Sequence, residues 1–499
     1  MKKYAWIASA ITIALLHAGA RADYTITVNK AQNRGTWQGF GASLCWWGNG
    51  VGGSSYQNTY ADLVFTTRTV RLLGSNVPGL GLNIARYNVG GGGIKGDIPG
   101  VPENVPASLP WYKDIDGYWL NWYSTDPASS SWNWFRDSNQ RNMMWAARDR
   151  GAIIDFFANA PMWWMTNENS SAGGSLQYWN RRDHARYLAT VVKYAKDRWG
   201  VNVNSIEPFN EPVAGWWNYP TGQEGCNISR GVQAEVLGYL REELDNRGLS
   251  GVQIAASDEN TMTSGKDTYE FFKGQFVSVN GTSKNVANLV NRVTVHGYNG
   301  IEPWRDDPAR VALRNSVGTK SLWMSEYGDG EGSGMTLAQS IMADLTYLRP
   351  TAWIYWQPIE PYSAWGLVNA AYSRPEDQYS TNRAAPLWIY TKYYVFAQFT
   401  RFLRPNMVLY GTNDANSLIA YNGTSRQLTI VTVNYGNPQN IALDLSSLNT
   451  VGGTATMTTT VTNGSKLLFP SPMRFMSKRA TYRAEANSVT SIVISGVIL

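Results

Sequence analysis

From about Trp37 to Pro358 short apolar or aromatic runs alternate with longer amphipathic stretches. Eight runs read as strands: WQGFGAS (37–43), LNIARYNV (82–89), IIDFFANA (153–160), SIEPFNEP (205–212), VQIAASDE (252–259), RVTVHGY (292–298), SLWMSEYG (321–328) and AWIYWQP (352–358). Several of the intervals between them carry helical periodicity. Asp183 to Trp199 puts Ala185, Leu188, Ala189, Val192 and Ala195 on one face, with Gly200 as the stop. A second helix runs from a Ser229 cap through Val232, Val236, Leu240 and Leu244 to Gly248, and a third from Thr336 to Leu348, ended by Pro350. Eight strands with helical crossovers predict an α/β fold, a (β/α)8 TIM barrel whose functional residues gather at the carboxyl ends of the strands.

The texture changes after about Ala385. An aromatic helical segment spans Thr391 to Arg404, and beyond Pro405 the pattern turns strand-like: SLIAY (417–421), QLTIVTVN (427–434), TATMTTTV (454–461) and SVTSIVIS (488–495). Turns such as Asn422-Gly423 and Asn463-Gly464 separate these runs, which predict an appended antiparallel β-sandwich. The early run DYTITVN (23–29) alternates in the same way and is expected to pair into that sandwich, joining the two ends of the chain. Ahead of it, Lys2-Lys3, an apolar stretch from Tyr4 to Leu16 and Ala20-Arg21-Ala22 have the form of a secretory signal peptide cleaved after Ala22. The expected organisation is therefore a leader over 1–22, an N-terminal strand over 23–36, the barrel over 37–390 and the sandwich over 391–499.

Loss of Lys2, Lys3 and Arg21 with the leader lowers the net charge from +6 to +3, which carries no preference for nucleic acid or membrane. The expected product is a secreted, monomeric protein without a membrane span. Beyond the leader the histidines are His184 and His296 and the cysteines Cys45 and Cys226. That inventory argues against a Cys/His zinc site and, with no GxSxG elbow, against a serine-histidine-acid triad, so no catalytic metal or other cofactor is expected, and a carboxylate-bound calcium is left open. Cys45 and Cys226 both follow strands, and a disulfide between them is one of two outcomes left open.

Two carboxylates carry the candidate chemistry. Glu211 and Glu326 each stand where an apolar run ends, one after the fourth strand and one after the seventh. Acid-base hydrolysis of a glycosidic bond requires such a pair, one carboxyl protonated to release the leaving oxygen and one ionised to attack carbon or activate water. These placements do not decide which does which. The chain also holds 22 Trp and 28 Tyr, and pairs such as Trp46-Trp47, Trp163-Trp164 and Trp216-Trp217 suit the apolar faces of sugar rings as well as a core.

SIEPFNEP ending a fourth strand, MSEYG ending a seventh and QGFGAS opening the barrel resemble glycoside hydrolase family 30, a family of (β/α)8 retaining glycosidases with a flanking β-sandwich. Within it, GFGASLCWWG (39–48) and RYNVGGGG (86–93) most resemble the endo-β-1,6-galactanase branch. The resemblance implies that Glu211 is the general acid/base and Glu326 the nucleophile. It also implies that Asn210 holds a sugar 2-hydroxyl, that Tyr298 hydrogen-bonds the nucleophile, that His296 contacts substrate and that Trp356 floors the sugar at the cleavage point. Arg86, ending the second strand, is expected to face Glu326 and favour its ionised form. Trp47, Trp163 and Trp217 are expected as walls of neighbouring subsites, with core packing as the alternative for each. Asp258 and Glu259 are the nearest competitors for the catalytic roles, and Glu207 is expected in a structural ion pair. The implied substrate is β-1,6-galactan; the alternatives are a β-1,6-glucanase, an endo-xylanase, or a non-catalytic polysaccharide-binding protein.

Overall fold

The computed structural model describes residues 22–298 and 307–499; the expected leader, but for Ala22, lies outside them. Eight parallel strands close into a barrel: β1 (Gly39–Ser43), β2 (Ile84–Asn88), β3 (Ile153–Phe157), β4 (Val203–Glu207), β5 (Gln253–Glu259), β6 (Arg292–His296), β7 (Ser321–Tyr327) and β8 (Ala352–Tyr355). Each lies within or against one of the eight apolar runs, and β8 pairs with β1 to complete the circle. Closure at β1 depends on small residues. A Cβ on Gly41 would stand 2.6 Å from Ile354 Cδ1 and 2.8 Å from Ile84 Cβ, so only glycine lets β8 and β2 approach from both sides.

Two differences from the sequence pattern shape the barrel mouth. Strand β4 stops at Glu207 rather than running on to Pro212, because Pro208 cannot donate to a ladder and the chain leaves the sheet there. Strands β5, β6 and β7 carry register shifts near their carboxyl ends, between Ser257 and Glu259, between Val295 and His296, and between Met324 and Tyr327. A bulge breaks the in-out alternation and lets consecutive residues serve the interior. Ser325 and Glu326 are both buried and both bond to groups of the barrel interior for this reason.

The helices form Arg181–Arg198, Arg230–Asn246 after an extended Ser229, and Met335–Ala343 continued as a π turn over Asp344–Leu348. Among the described residues no helix is long and apolar enough to cross a membrane. Inside the barrel, below the mouth, Arg292 donates to Ser205 Oγ at 2.7 Å, Asn204 Oδ1 at 2.7 Å and Gln253 Oε1 at 3.0 Å, and stacks 3.5 Å over Trp323. This plug fills volume with a charge whose two Nη groups are taken up by acceptors, which lets a cation sit in the interior.

The N-terminal strand Tyr24–Thr36 is the seam of the sandwich. Tyr24 to Thr27 pair in parallel with Ile441 to Asp444, while Val28 to Thr36 pair antiparallel with Val408–Thr412. One strand thereby belongs to both sheets, and Ile26 and Val28 point into the core with Ile419, Leu428, Ile430, Leu443 and Ile492. The sandwich holds four strands that the sequence pattern did not mark, Val408–Thr412, Gln439–Asp444, Phe469–Arg474 and Arg479–Ala484, which are short or polar on their exposed sides. Helix Thr391–Thr400 is the hinge pin between the two parts. Phe396 packs edge-on to Phe40 of β1 at 5.7 Å, while Gln398 bonds Thr460 and Ser491 of the sandwich.

Truncating the seam should be costly. Ile26→Ala removes a fully buried side chain and is expected to lower stability by about 2–5 kcal/mol, against less than about 0.5 kcal/mol for exposed Lys30→Ala. Urea denaturation of the two variants measures the difference, and equal midpoints would show that the strand is not part of the cooperative core.

Candidate active site

Arg86 stands at the centre of the barrel mouth, 1% exposed, and distributes its donors among four groups. Its Nε donates to Glu207 Oε2 at 3.0 Å, Nη1 to Glu326 Oε2 at 2.9 Å, and Nη2 to Asn210 Oδ1 at 3.3 Å and to Asp258 Oδ2. Its guanidinium plane lies 3.5 Å over the Phe157 ring. Such a fork fixes side chains from β4, β5 and β7 relative to one another. The expected contact between Arg86 and Glu326 is present; Glu207, expected as a structural ion-pair partner, is Arg86's.

Glu326 receives Arg86 on Oε2 and the Tyr298 hydroxyl on Oε1 at 3.2 Å, with His296 Nδ1 3.4 Å away. Burial pushes its carboxyl up to about 7, against the pull of His296 and Arg86, while Glu211 and Asp258 add to the rise. His296 Nδ1 also meets Glu211 Oε1 at 2.9 Å, and its Nε2 stands 3.2 Å from Asp258 Oδ1. Burial alone would lower the imidazole, but Glu326 and Asp258 outweigh it and hold the ring charged well above its ordinary range. Asp258, whose desolvation is overcome by Arg86 and His296, is held below the usual carboxylate range and bonds Ser325 Oγ at 2.5 Å.

Glu211 lies past the end of β4, in the left-handed region with φ of 49°. That conformation is uncommon for a residue with a Cβ, and the surroundings impose it. Its N–H donates to the Asp258 carbonyl at 2.8 Å, and its own carbonyl accepts from Trp217 Nε1 at 2.9 Å. Asn260 Nδ2 donates to Glu211 Oε1 at 2.7 Å, so both protein donors fall on Oε1 and Oε2 is left for another partner. A carboxylate oxygen of Glu211 comes within 4.8 Å of one of Glu326. Glu211, His296 and Glu326 are the one group of this kind among the described residues with ligand-type atoms that close. They do not fit a resident metal, since a cation there would have to displace a charged imidazole and compete with Arg86.

The cleft above the pair has a volume of about 240 Å³ and is lined by aromatic rings (Trp46, Trp216, Tyr298, Trp356, Trp365), amides (Asn159, Asn210, Gln223, Asn260) and the two glutamates. Trp46 and Trp356 meet edge to face at 4.9 Å. Glu211, Glu326, Asn210, Tyr298 and Trp356 thus come together as expected from the sequence. Arg86 and His296 do not line the cleft: both are buried behind the glutamates, placed to charge and orient them rather than to touch a substrate. The expected walls Trp47, Trp163 and Trp217 are in the core, each at most 1% exposed. Trp47 Nε1 bonds the Ser43 carbonyl and Trp217 Nε1 the Glu211 carbonyl, and burial keeps the faces of both rings from a sugar. In two of the tryptophan pairs it is the neighbour, Trp46 or Trp216, that reaches the cleft. Glu259 is buried on Thr268, and Asp258 is consumed by Arg86 and His296, which removes both as competitors for the pair. Cys45 and Cys226 are separate buried thiols, and Cys45 Sγ accepts from Asn159 at 3.2 Å.

Sequence reasoning missed Asn159, Gln223, Asn260 and Trp365. Asn260 directly follows the β5 acids and Asn159 stands near the end of the third apolar run, so both could have been suspected; Gln223 and Trp365 sit on loops whose course no local pattern gives away.

Residues 23–368 match the sequence pattern of O-glycosyl hydrolase family 30. The chain belongs to that family. The family 30 chain is 40% identical over 450 residues to an endo-β-1,6-galactanase of Hypocrea rufa, covering 89% of this chain and 88% of that one. It is 23% identical over 415 residues to an exo-β-1,6-galactobiohydrolase of Bifidobacterium longum subsp. longum, covering 65% of this chain and 26% of that longer one. Its fold superimposes on a family 30 subfamily 8 xylanase of Clostridium acetobutylicum with a TM-score of 0.66 at 21% identity, covering 95% and 100% of the two chains. This family 30 protein is a glycoside hydrolase.

Glu326 should be visible by its titration. In a sample labelled at the glutamate side-chain carboxyls, carbon NMR is expected to find several carboxyls titrating near 7, among them one that is absent from Glu326→Gln. In His296→Gln the loss of a nearby positive charge should move that midpoint upward; a fall, or no change, would contradict the electrostatic account.

Proposed function

We propose that this chain is a secreted endo-β-1,6-galactanase that cleaves β-1,6-linked galactan, as in arabinogalactan side chains, by double displacement with retention. The observation that carries the substrate is the 40% identity to an endo-β-1,6-galactanase along 89% of the chain. The leader-like segment before Asp23 supports export. The closeness of the two carboxylates supports retention, because retaining pairs stand about 5–5.5 Å apart whereas inverting pairs leave room for water at roughly 6.5–9.5 Å.

The roles are those the family resemblance implies, and the surroundings of each carboxylate support them. Glu326, faced by Arg86, Tyr298 and His296, attacks the anomeric carbon in its ionised form and makes a glycosyl-enzyme. Glu211 delivers a proton from Oε2 to the departing glycosidic oxygen, while Asn260 and His296 steady Oε1. A water then takes the leaving group's place, Glu211 removes its proton, and the sugar–Glu326 bond breaks. Asn210 has its Oδ1 bound to Arg86, which turns the amide N–H groups toward the sugar. With Asn159, Gln223 and Asn260 it supplies donors and acceptors for hydroxyls, while Trp356 and Trp46 supply apolar surface for ring C–H groups.

Products released from β-1,6-galactan, β-1,6-glucan and glucuronoxylan, compared side by side, test the substrate. Galacto-oligosaccharides from the first and little from the others are expected; faster release from another polymer would overturn the galactan assignment. Glu326→Gln should lose at least about a thousandfold in kcat while still binding polymer, and substantial residual turnover would remove Glu326 as nucleophile. Glu211→Ala should be rescued by azide on activated aryl glycosides, and lack of rescue would count against its acid/base role. Because attack needs ionised Glu326, kcat/KM should rise with pH through about 7 on its acid limb.

A further inference from the structure

The loop after β3 reaches the cleft at one end, through Asn159, and a separate cavity at the other. That cavity, of about 390 Å³, is lined by Trp122, Trp164, Asn169, Gln177, Trp179 and Asn180, none of which lines the cleft. We propose that it is a second, non-catalytic glycan-binding site that holds a stretch of the same polysaccharide outside the cleft. The ligand identity rests on the polysaccharide-hydrolase reading; the existence of the site rests on its own chemistry.

Three indoles and three carboxamides line it, and no ionisable side chain does. That composition matches a neutral polyol with apolar ring faces and hydroxyl edges, and offers nothing to a phosphate, a peptide charge or a nucleic acid. Trp122 and Trp179 remain 47% and 70% exposed. Trp122 is set by packing edge-on to Trp164 at 5.7 Å, and Trp164 is itself pinned through Nε1 to the Trp119 carbonyl at 2.9 Å. Two of the amides are pre-positioned too: Gln177 Nε2 donates to the Thr166 carbonyl at 2.9 Å, and its Oε1 accepts from Asn180 Nδ2 at 2.6 Å. Four polar groups are left over. The indole N–H groups of Trp122 and Trp179, the Asn169 amide and Asn180 Oδ1 have no hydrogen-bond partner among the described residues. A preorganised set of donors, acceptors and flat apolar faces is what a sugar chain requires, and anchoring a polymer at one site raises its effective concentration at the other.

The test compares full-length enzyme with Trp122→Ala/Trp179→Ala and with Trp179→Phe, all made in a bacterial host so that Asn169 of Asn-Ser-Ser stays unmodified. Retardation in gels containing β-1,6-galactan, β-1,6-glucan or glucuronoxylan is measured together with kcat/KM on a short aryl glycoside. The double alanine variant should bind the retarding polymer about tenfold more weakly with kcat/KM on the short substrate unchanged, and Trp179→Phe should keep most of the retardation. Undiminished retardation of the double variant, or no retardation of the wild type in any gel, overturns the site. Loss of self-association in the double variant, measured by sedimentation velocity, with retardation unchanged overturns it in favour of contact with a second copy. Retardation that depends on the two tryptophans but occurs only in glucan or xylan keeps the site and overturns the galactan assignment instead.

Discussion

A single buried cation organises the working end of this barrel. Arg86 projects into a space where an unpaired charge would be prohibitively costly, and its donors reach Glu207, Glu326, Asn210 and Asp258. The partners come from β4 with the segment just after it, from β5 and from β7, so satisfying the guanidinium sets their relative positions. Take the cation away and three carboxylates would share a dry interior with only His296 between them. The glutamate pair is therefore held by one charge balance rather than by two independent side-chain conformations.

His296 extends that balance to Glu211. Its ring is fully buried and stands among Glu211, Asp258 and Glu326, so it links the acid from the β4 loop to the acid of β7. Burial and the neighbouring carboxylates act on the imidazole in opposite directions, and the carboxylates prevail. The backbone contributes as well. Glu211 keeps a left-handed conformation because the Asp258 carbonyl and the Trp217 indole grip its peptide on either side. Trp217, fully in the core, thus serves the reaction centre by holding the chain rather than by touching sugar.

Much of the architecture was legible beforehand because it is written in local periodicity. All eight barrel strands fall on short apolar runs, and the helices at Arg181–Arg198 and Arg230–Asn246 fall on amphipathic stretches with their stop signals. Strand ends were less legible. The run through Glu211 reads as continuous strand, yet Pro208 removes the donor the ladder needs and puts Glu211 on a loop. The four further sandwich strands went unmarked because their alternation is short and their outer faces are polar.

The sequence by itself determined the barrel, the sandwich, the N-terminal strand that pairs into the sandwich and the two glutamates that stand at the mouth, because hydrophobic period and motif spacing are local properties of a chain. Tertiary structure alone decided which side chains face the cleft. Trp46 and Trp47 are neighbours with the same chemistry, and only packing against Trp356 on one side and Phe65 on the other separates a cleft residue from a core residue. The register shifts of β5 to β7 likewise arise from pairing with neighbouring strands, and they turn Glu326 inward beside Ser325 where simple alternation would send one of the two outward. A side chain's direction depends on partners far away in the chain, and no window of sequence contains them.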